Sequence, residues 1–238
     1  ANYYKYLDPA RHMHYYQMHY SCMQQIIQAQ HQQQQHSTMM RDDYRNQPAK
    51  VRVFHASPDA PAVDIYINGQ KTLQNFKYYQ ISNYLEVPAG SYQIEVYPAG
   101  QTNQPVLRET VTVDAGTSYT VAAAGQLNTI QLATVVDDPR VSGNQTKVRF
   151  WHLSPNAPAV DIAVKGGDVV FRNVSFQNAA QYLQLAPATV DLEVRLAGTT
   201  NTVLTLRNTE LKRNQVYTIV AIGLVEGTPR LEALILQP

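Results

Sequence analysis

From residue 50 onward, hydrophobic and polar positions alternate in short runs. Val63, Ile65 and Ile67 alternate with Asp64 and Tyr66, and Tyr92, Ile94 and Val96 alternate with Gln93 and Glu95. Further along, Val190, Leu192, Val194 and Leu196 alternate with Asp191, Glu193 and Arg195. A period of two places successive side chains on opposite faces of an extended chain, so these runs predict half-buried antiparallel strands. Turn residues separate them: Ser57-Pro58-Asp59, Asn68-Gly69, Pro88-Ala89-Gly90, Pro98-Ala99-Gly100, Asp114-Ala115-Gly116 and Lys165-Gly166-Gly167. About seven strands over each stretch of roughly 90 residues is the spacing of a β-sandwich.

The pattern occurs twice. Lys50–Ile65 reads KVRVFHASPDAPAVDI and Lys147–Ile162 reads KVRFWHLSPNAPAVDI, identical at 12 of 16 positions. Tyr84-Leu85 returns as Tyr182-Leu183, and Tyr119-Thr120 as Tyr217-Thr218. A repeat of this length is a whole domain, because solenoid units run to roughly 20–50 residues. The division predicted is an arm over 1–49, a sandwich over 50–138, a linker over 139–146 and a second sandwich over 147–238. The polar stretch Asp137–Thr146 (DDPRVSGNQT) lacks strand periodicity and is short, which predicts domains set end to end. Gly116 and Asn214 each stand three residues before a tyrosine. Both readily adopt a left-handed backbone, so Tyr119 and Tyr217 are candidates for the tyrosine corner of Greek-key sandwiches.

The arm follows another rule. Asp8-Pro9 is a helix start, with Asp as N-cap and Pro in the first turn. Met13, Tyr16, Tyr20, Met23 and Ile27 then fall at 3-4-3-4 spacing, one stripe of a helix with the form of a coiled-coil seam. The stripe fades at Gln30 and gives way to the tract Gln32–Gln35. Isolated, such a helix is marginal in water, so the stripe calls for a partner.

Composition narrows the function classes. The net charge of +1 gives no global attraction to nucleic acid or anionic membrane. Tyr3, Tyr4, Tyr6, Tyr15, Tyr16 and Tyr20 could stack on bases, but Lys5 and Arg11 are the only cations beside them, too few for a nucleic-acid groove. No apolar run approaches the ~20 residues of a membrane span. One cysteine, Cys22, excludes a disulfide within the chain and leaves a thiol suited to cross-linking between chains. Residues 1–46 hold all five methionines, seven tyrosines, five of the seven histidines and nine glutamines. The run HMHYYQMH combines thioether and imidazole, a set that suits copper, yet its spacing matches no fixed site. Ala1 at the start fits either removal of an initiator methionine or cleavage of a signal after a small residue, which imply different compartments.

The repeated H-x-S-P-x-A-P-x-V-D segment offers His55, Ser57 and Asp64, and again His152, Ser154 and Asp161. A nucleophile, base and acid are present by type. A hydrolase also needs an oxyanion hole and a cleft, and no G-x-S-x-G elbow accompanies them. A histidine and an aspartate fall short of the three or four ligands of a zinc site, and no calcium loop occurs. The structural reading is stronger: Pro58 and Pro155 fix the connection while Ser and Asp satisfy its backbone groups. No catalytic residue, metal or cofactor is expected.

The motif KVRVFHASPDAPAVDIYING with the later VPAGSYQIEVYPAG, and its second copy KVRFWHLSPNAPAVDI, resemble the domain-of-unknown-function family 4397 over residues 50–238. That resemblance implies tandem immunoglobulin-like antiparallel sandwiches on a bacterial surface and no enzyme activity. The arm departs from the family, and its composition is similar to that of spore-coat and other cross-linked surface-layer proteins. The expectation is an extracytoplasmic structural protein of a bacterial cell or spore surface. It would assemble with itself, and with other surface or coat proteins, through the arm into a filament, layer or coat. The alternative is an adhesive module that binds glycan or protein through its loops.

Overall fold

The computed structural model describes residues 8–45 and 47–238, with the side chains of Pro9, His12 and 35–45 outside that description. Tyr3, Tyr4, Lys5 and Tyr6 therefore lie outside the described residues. The chain forms two units, 1–47 and 48–238.

The first unit carries a helix, α1 (Pro9–Arg45), of 37 residues, about 55 Å at 1.5 Å per residue. It starts where Asp8 and Pro9 predict: the Arg11 N–H donates to Asp8 Oδ1 at 3.1 Å. It runs on through the glutamines, because glutamine is a good helix former even where no apolar stripe remains.

The second unit contains sixteen strands, eight per repeat. The first eight are β1 (Ala49–His55), β2 (Val63–Ile67), β3 (Gln70–Phe76), β4 (Leu85–Val87), β5 (Gly90–Pro98), β6 (Leu107–Val113), β7 (Ser118–Ala124) and β8 (Gln131–Asp137). They form two sheets, β4-β1-β7-β8 and β3-β2-β5-β6. The second eight are β9 (Thr146–His152), β10 (Val160–Val164), β11 (Val169–Val174), β12 (Leu183–Leu185), β13 (Ala188–Leu196), β14 (Thr202–Leu211), β15 (Val216–Ile222) and β16 (Glu232–Leu236). Their sheets, β12-β9-β15-β16 and β11-β10-β13-β14, repeat the same order. Pairing is antiparallel except for β1 with β7 and β9 with β15, which run parallel. Each sandwich closes over its own core. Val51, Val53, Val121, Ile65, Ile94 and Val96 meet in the first, and Val148, Phe150, Ile219, Ile162, Leu192 and Val194 in the second. Tyr119 and Tyr217 form the expected corners. Each hydroxyl accepts a backbone N–H from five residues upstream, Asp114 and Lys212, at 3.1 Å. Gly116 and Asn214 supply the left-handed bends at φ 65° and 58°.

The sandwiches are not set end to end. The sheets containing β1 and β9 pack face against face, giving four layers from 48 to 238. Phe54, Ala122 and Val135 of the first repeat and Trp151, Val220 and Ile222 of the second form a third buried cluster between them. The polar stretch at 137 is also shorter than expected, because Asp137 is the last residue of β8 and is buried. β9 and β15 are consequently buried along their whole length, and β7 at all but its first residue. A strand covered on both faces loses the polar half of its alternation.

Candidate functional site

The repeated motif is the crossover between sheets. β1 ends at His55 and β2 begins at Val63 in the facing sheet, so residues 56–62 must span the sandwich edge with few backbone partners. His55 supplies two. Its Nε2–H donates to the Pro61 carbonyl at 3.2 Å, and its Nδ1 accepts the Ser57 N–H at 3.4 Å. A carbonyl can only accept and an amide N–H only donate, which fixes the neutral tautomer. The Ser57 hydroxyl donates to the Gly125 carbonyl at 2.7 Å. The second copy repeats every contact: His152 to Pro158 at 3.0 Å and from Ser154 at 3.3 Å, and Ser154 to Gly223 at 2.7 Å.

The aspartate of the motif points elsewhere. Asp64 accepts from the Asn75 and Gly100 N–H groups at 2.8 and 3.3 Å and from Lys71 Nζ at 2.8 Å. Asp161 accepts from the Asn173 and Gly198 N–H groups at 2.7 and 2.9 Å. Asn75, Asn173, Gly100 and Gly198 all have positive φ, so each aspartate pins one left-handed residue in the neighbouring strand, where the pairing is irregular, and one in a turn. The Lys71 ammonium and the Asn75 amide hold the Asp64 carboxyl below its usual range, and the two amides do the same for Asp161. The motif thus places its histidine and serine in one network and its aspartate in another. Pro58 and Pro155 stand at the turns that open the two crossovers. Among the described residues no three His, Cys, Asp or Glu side chains converge as metal ligands would.

Burial pushes the His55 and His152 imidazoles below their ordinary pKa, against the opposing pull of their carbonyl partners. The unfolded chain takes up these protons near 6.5 while the folded chain resists them. Their stabilising contribution is therefore complete above about pH 6.5 and is lost as pH falls, at up to about 1.4 kcal/mol per pH unit for each. Asp64 and Asp161 act in a lower window, with stability present above about 3.9 and lost below it. Urea midpoints for the wild type should fall between pH 7 and 5. The double variant His55→Gln, His152→Gln, less stable at pH 7, should show a flatter dependence there. Equal slopes in the two proteins would contradict the assignment.

A second polar constellation lies between the repeats, where the sequence pattern pointed to no site. Arg149 donates from Nη2 to Asp137 Oδ1 at 2.6 Å, and Arg52 Nη2 lies 3.8 Å from Asp137 Oδ2. Asp137 also accepts from Tyr84 Oη at 2.7 Å and from the Thr120 hydroxyl. The arrangement is nearly two-fold. Arg52 donates to Thr120 and to the Gln237 carbonyl; Arg149 donates to Thr218 and to the Val136 carbonyl. Arg52 lies over the Tyr84 ring at 4.7 Å and Arg149 over Tyr182 at 4.4 Å. Each arginine thus reaches across to the end of the other repeat, at Val136 in β8 and at Gln237 just past β16, as in an isologous dimer interface.

The family model described as a domain of unknown function (DUF4397) matches residues 49–163 and 164–237. The chain belongs to the DUF4397 family. Its two matched segments meet inside β10, and the helical arm lies outside both. Curated protein sequences gave no match. Among solved structures, the TIE protein of Bacillus anthracis is 13% identical at a TM-score of 0.25, covering 75% of this chain and 34% of its own. The family 26 carbohydrate-binding module of Eubacterium rectale Amy13K, solved with maltoheptaose, is 8% identical at a TM-score of 0.25, over 81% of this chain and 97% of that one. A candidate cell adhesion protein of Bacteroides ovatus is 11% identical at a TM-score of 0.25, over 80% and 96%. The chain spans about a third of the length of the TIE structure.

Outside the DUF4397 repeats, α1 exposes the predicted seam: Met13, Tyr16 and Tyr20 are 60%, 63% and 66% exposed, and Met23 and Ile27 nearly half. The rest of the helix is not uniformly polar, as a one-sided stripe would require. Met18 lies opposite the seam, Tyr15, Cys22 and Ile26 fall about a third of a turn round the helix from it, and all four are exposed as well. From His12 to Met40 the sequence contains no Asp, Glu, Lys or Arg. No described helix is long and apolar enough to cross a membrane.

Proposed function

We propose that this DUF4397 protein is a non-enzymatic structural component of a bacterial surface, outside the cytoplasm on a cell or spore, which assembles with copies of itself through α1. The observation that carries the reading is the long helix, uncharged in sequence from His12 to Met40 and exposed over its described side chains up to Gln34, with large side chains on more than one face. Burying a large apolar side chain contributes about 1.5–3 kcal/mol. Several per subunit, repeated along a polymer, can outweigh the entropy of association. A helix with large side chains on more than one face suits a bundle or layer better than a two-stranded pair. The repeats, whose motif groups are satisfied internally and whose facing sheets cover one another, supply a rigid block to be arrayed.

Light scattering and electron microscopy of the full chain should show large particles. The variant Tyr16→Lys, Tyr20→Lys, Ile27→Lys should remain monomeric with an unchanged β spectrum. A variant that still polymerises would move the assembly surface to the sandwiches, where edge strands are the natural candidates.

One observation favours an adhesive reading. On the outer face of the first repeat, Tyr66 and Tyr97 meet edge to face at 5.1 Å, with Lys71 Nζ 5.5 Å from the Tyr66 ring. The second repeat has Ala163 and Arg195 at the matching positions. Aromatic rings flanked by polar groups suit a sugar face, and glycan binding lost in Tyr66→Ala, Tyr97→Ala would select this alternative.

A further inference from the structure

The two repeats differ inside their sandwiches. In the second, a cavity of about 210 Å³ opens between the sheets. Its walls are apolar: Val148, Phe171, Leu185, Leu192, Leu211 and Ile219 surround it, and Val190 stands at its mouth beside exposed Ala186 and Ala188. At the same place the first repeat retains about 20 Å³. One position contributes a large part of the difference. β5 and β13 align residue for residue, so Tyr92 of the first repeat corresponds to Val190 of the second. Tyr92 pairs with Val111 on β6, as Val190 pairs with Thr209 on β14. The Tyr92 ring packs against the core of its sandwich, and its hydroxyl donates to the Pro88 carbonyl at 2.8 Å. The second repeat omits the ring, and β13 and β14 shift register beside Val190 where β5 and β6 do not.

We propose that the second sandwich is a binding site for a monocyclic aromatic ring, phenol-like in chemistry, seated where the first repeat seats its own tyrosine. The volume fits, since an apolar protein cavity of about 150 Å³ stays dry and takes up benzene. The polarity fits, because the lining offers no hydrogen-bonding side chain within and so selects an apolar face. Ala186 lines the mouth, and its carbonyl, the counterpart of the Pro88 carbonyl that receives the Tyr92 hydroxyl, is the acceptor a ring hydroxyl would use. An empty cavity forfeits the dispersion contacts its walls could make, and a ring restores them. The ring has two possible sources, a free small aromatic or a tyrosine side chain of a neighbouring copy.

The test is a titration of the full chain with p-cresol, followed by methyl NMR of valine, leucine and isoleucine. Saturable shifts are expected at Val190, Leu192, Leu211 and Ile219, with a stoichiometry of one. Val190→Tyr should lower the affinity at least tenfold. Tyr92→Val should open the corresponding space in the first repeat and raise the stoichiometry to two, which keeps the test decisive if Val190→Tyr does not fold. Assemblies that dissolve as p-cresol saturates would make the ring a neighbour's tyrosine; assemblies that persist would make it a free aromatic. Absence of saturation up to the solubility limit, binding unaltered in Val190→Tyr, or tighter binding of n-hexanol than of p-cresol would overturn the proposal.

Discussion

Replacing Asp137 by Ala should destabilise the tandem repeats by about 3–5 kcal/mol, the range for a buried ion pair that loses one partner. The cost is not the value of the salt bridge as such. Arg52 and Arg149 are both buried, with side chains 8% and 5% exposed, and Asp137 is the carboxylate that faces both. Remove it and two guanidinium groups are left in a region poor in water, with only neutral acceptors: Thr120, Thr218 and the carbonyls of Gln237 and Val136. The Tyr84 hydroxyl, whose ionisation is pushed up by burial and by its bond to Asp137, loses its acceptor as well. Urea unfolding at pH 7 measures the difference. The triple variant Arg52→Met, Asp137→Leu, Arg149→Met should recover most of the loss, because replacing an entire buried charge set by apolar groups is often neutral. A loss below about 1 kcal/mol in Asp137→Ala would mean that water reaches the cluster and screens it.

Much of this architecture is legible in the residues, and the part that is not has a physical cause. Alternation marks β2, β5 and β13 because each has one face on a core and one facing outward. Gly116 and Asn214 announce the tyrosine corners because few other residues accept a left-handed bend. The proline-bounded motif reads correctly as a connection, but not the separation of its aspartate from its histidine, since proximity in sequence says little about direction across a sandwich edge. The contact between repeats was present as a signal of another kind. Val121-Ala122-Ala123-Ala124 and Ile219-Val220-Ala221-Ile222 are unbroken apolar runs, which one-sided strands do not require. An arginine set between Val51 and Val53 recurs as Arg149 between Val148 and Phe150, a charge in the middle of a core strand that needs a buried partner. Asp137 looked like linker because DDPR is polar, and only the register of β7 with β8 carries it inside. On α1 the 3-4-3-4 spacing locates the helix, yet glutamine carries no periodicity to show how far it extends. The cavity could not be read from the sequence, because the exchange of Tyr92 for Val190 acquires a volume only when both strands are placed in one frame.

Trp151→Ala should cost about 3–5 kcal/mol and should change how the molecule unfolds. Trp151 is fully buried, its indole N–H donates to the Gln177 carbonyl at 3.2 Å, and it packs in the cluster between the repeats rather than inside either sandwich. The matching position in the first repeat is Phe54, equally buried in the same cluster. Truncating Trp151 therefore removes coupling between two bodies that each retain an intact core. The wild type should unfold in one transition, with circular dichroism and the fluorescence of its single tryptophan giving coincident midpoints, the usual sign of two-state behaviour. Followed by circular dichroism, Trp151→Ala should separate into two transitions, one per sandwich. Val121→Ala, a truncation inside the first core, supplies the contrast: it should lower stability by a smaller amount while the single transition persists, since the interface is untouched. If Trp151→Ala unfolds in one step at a midpoint close to that of the wild type, the facing sheets contribute little to stability. The repeats would then behave as separate domains joined by a tether.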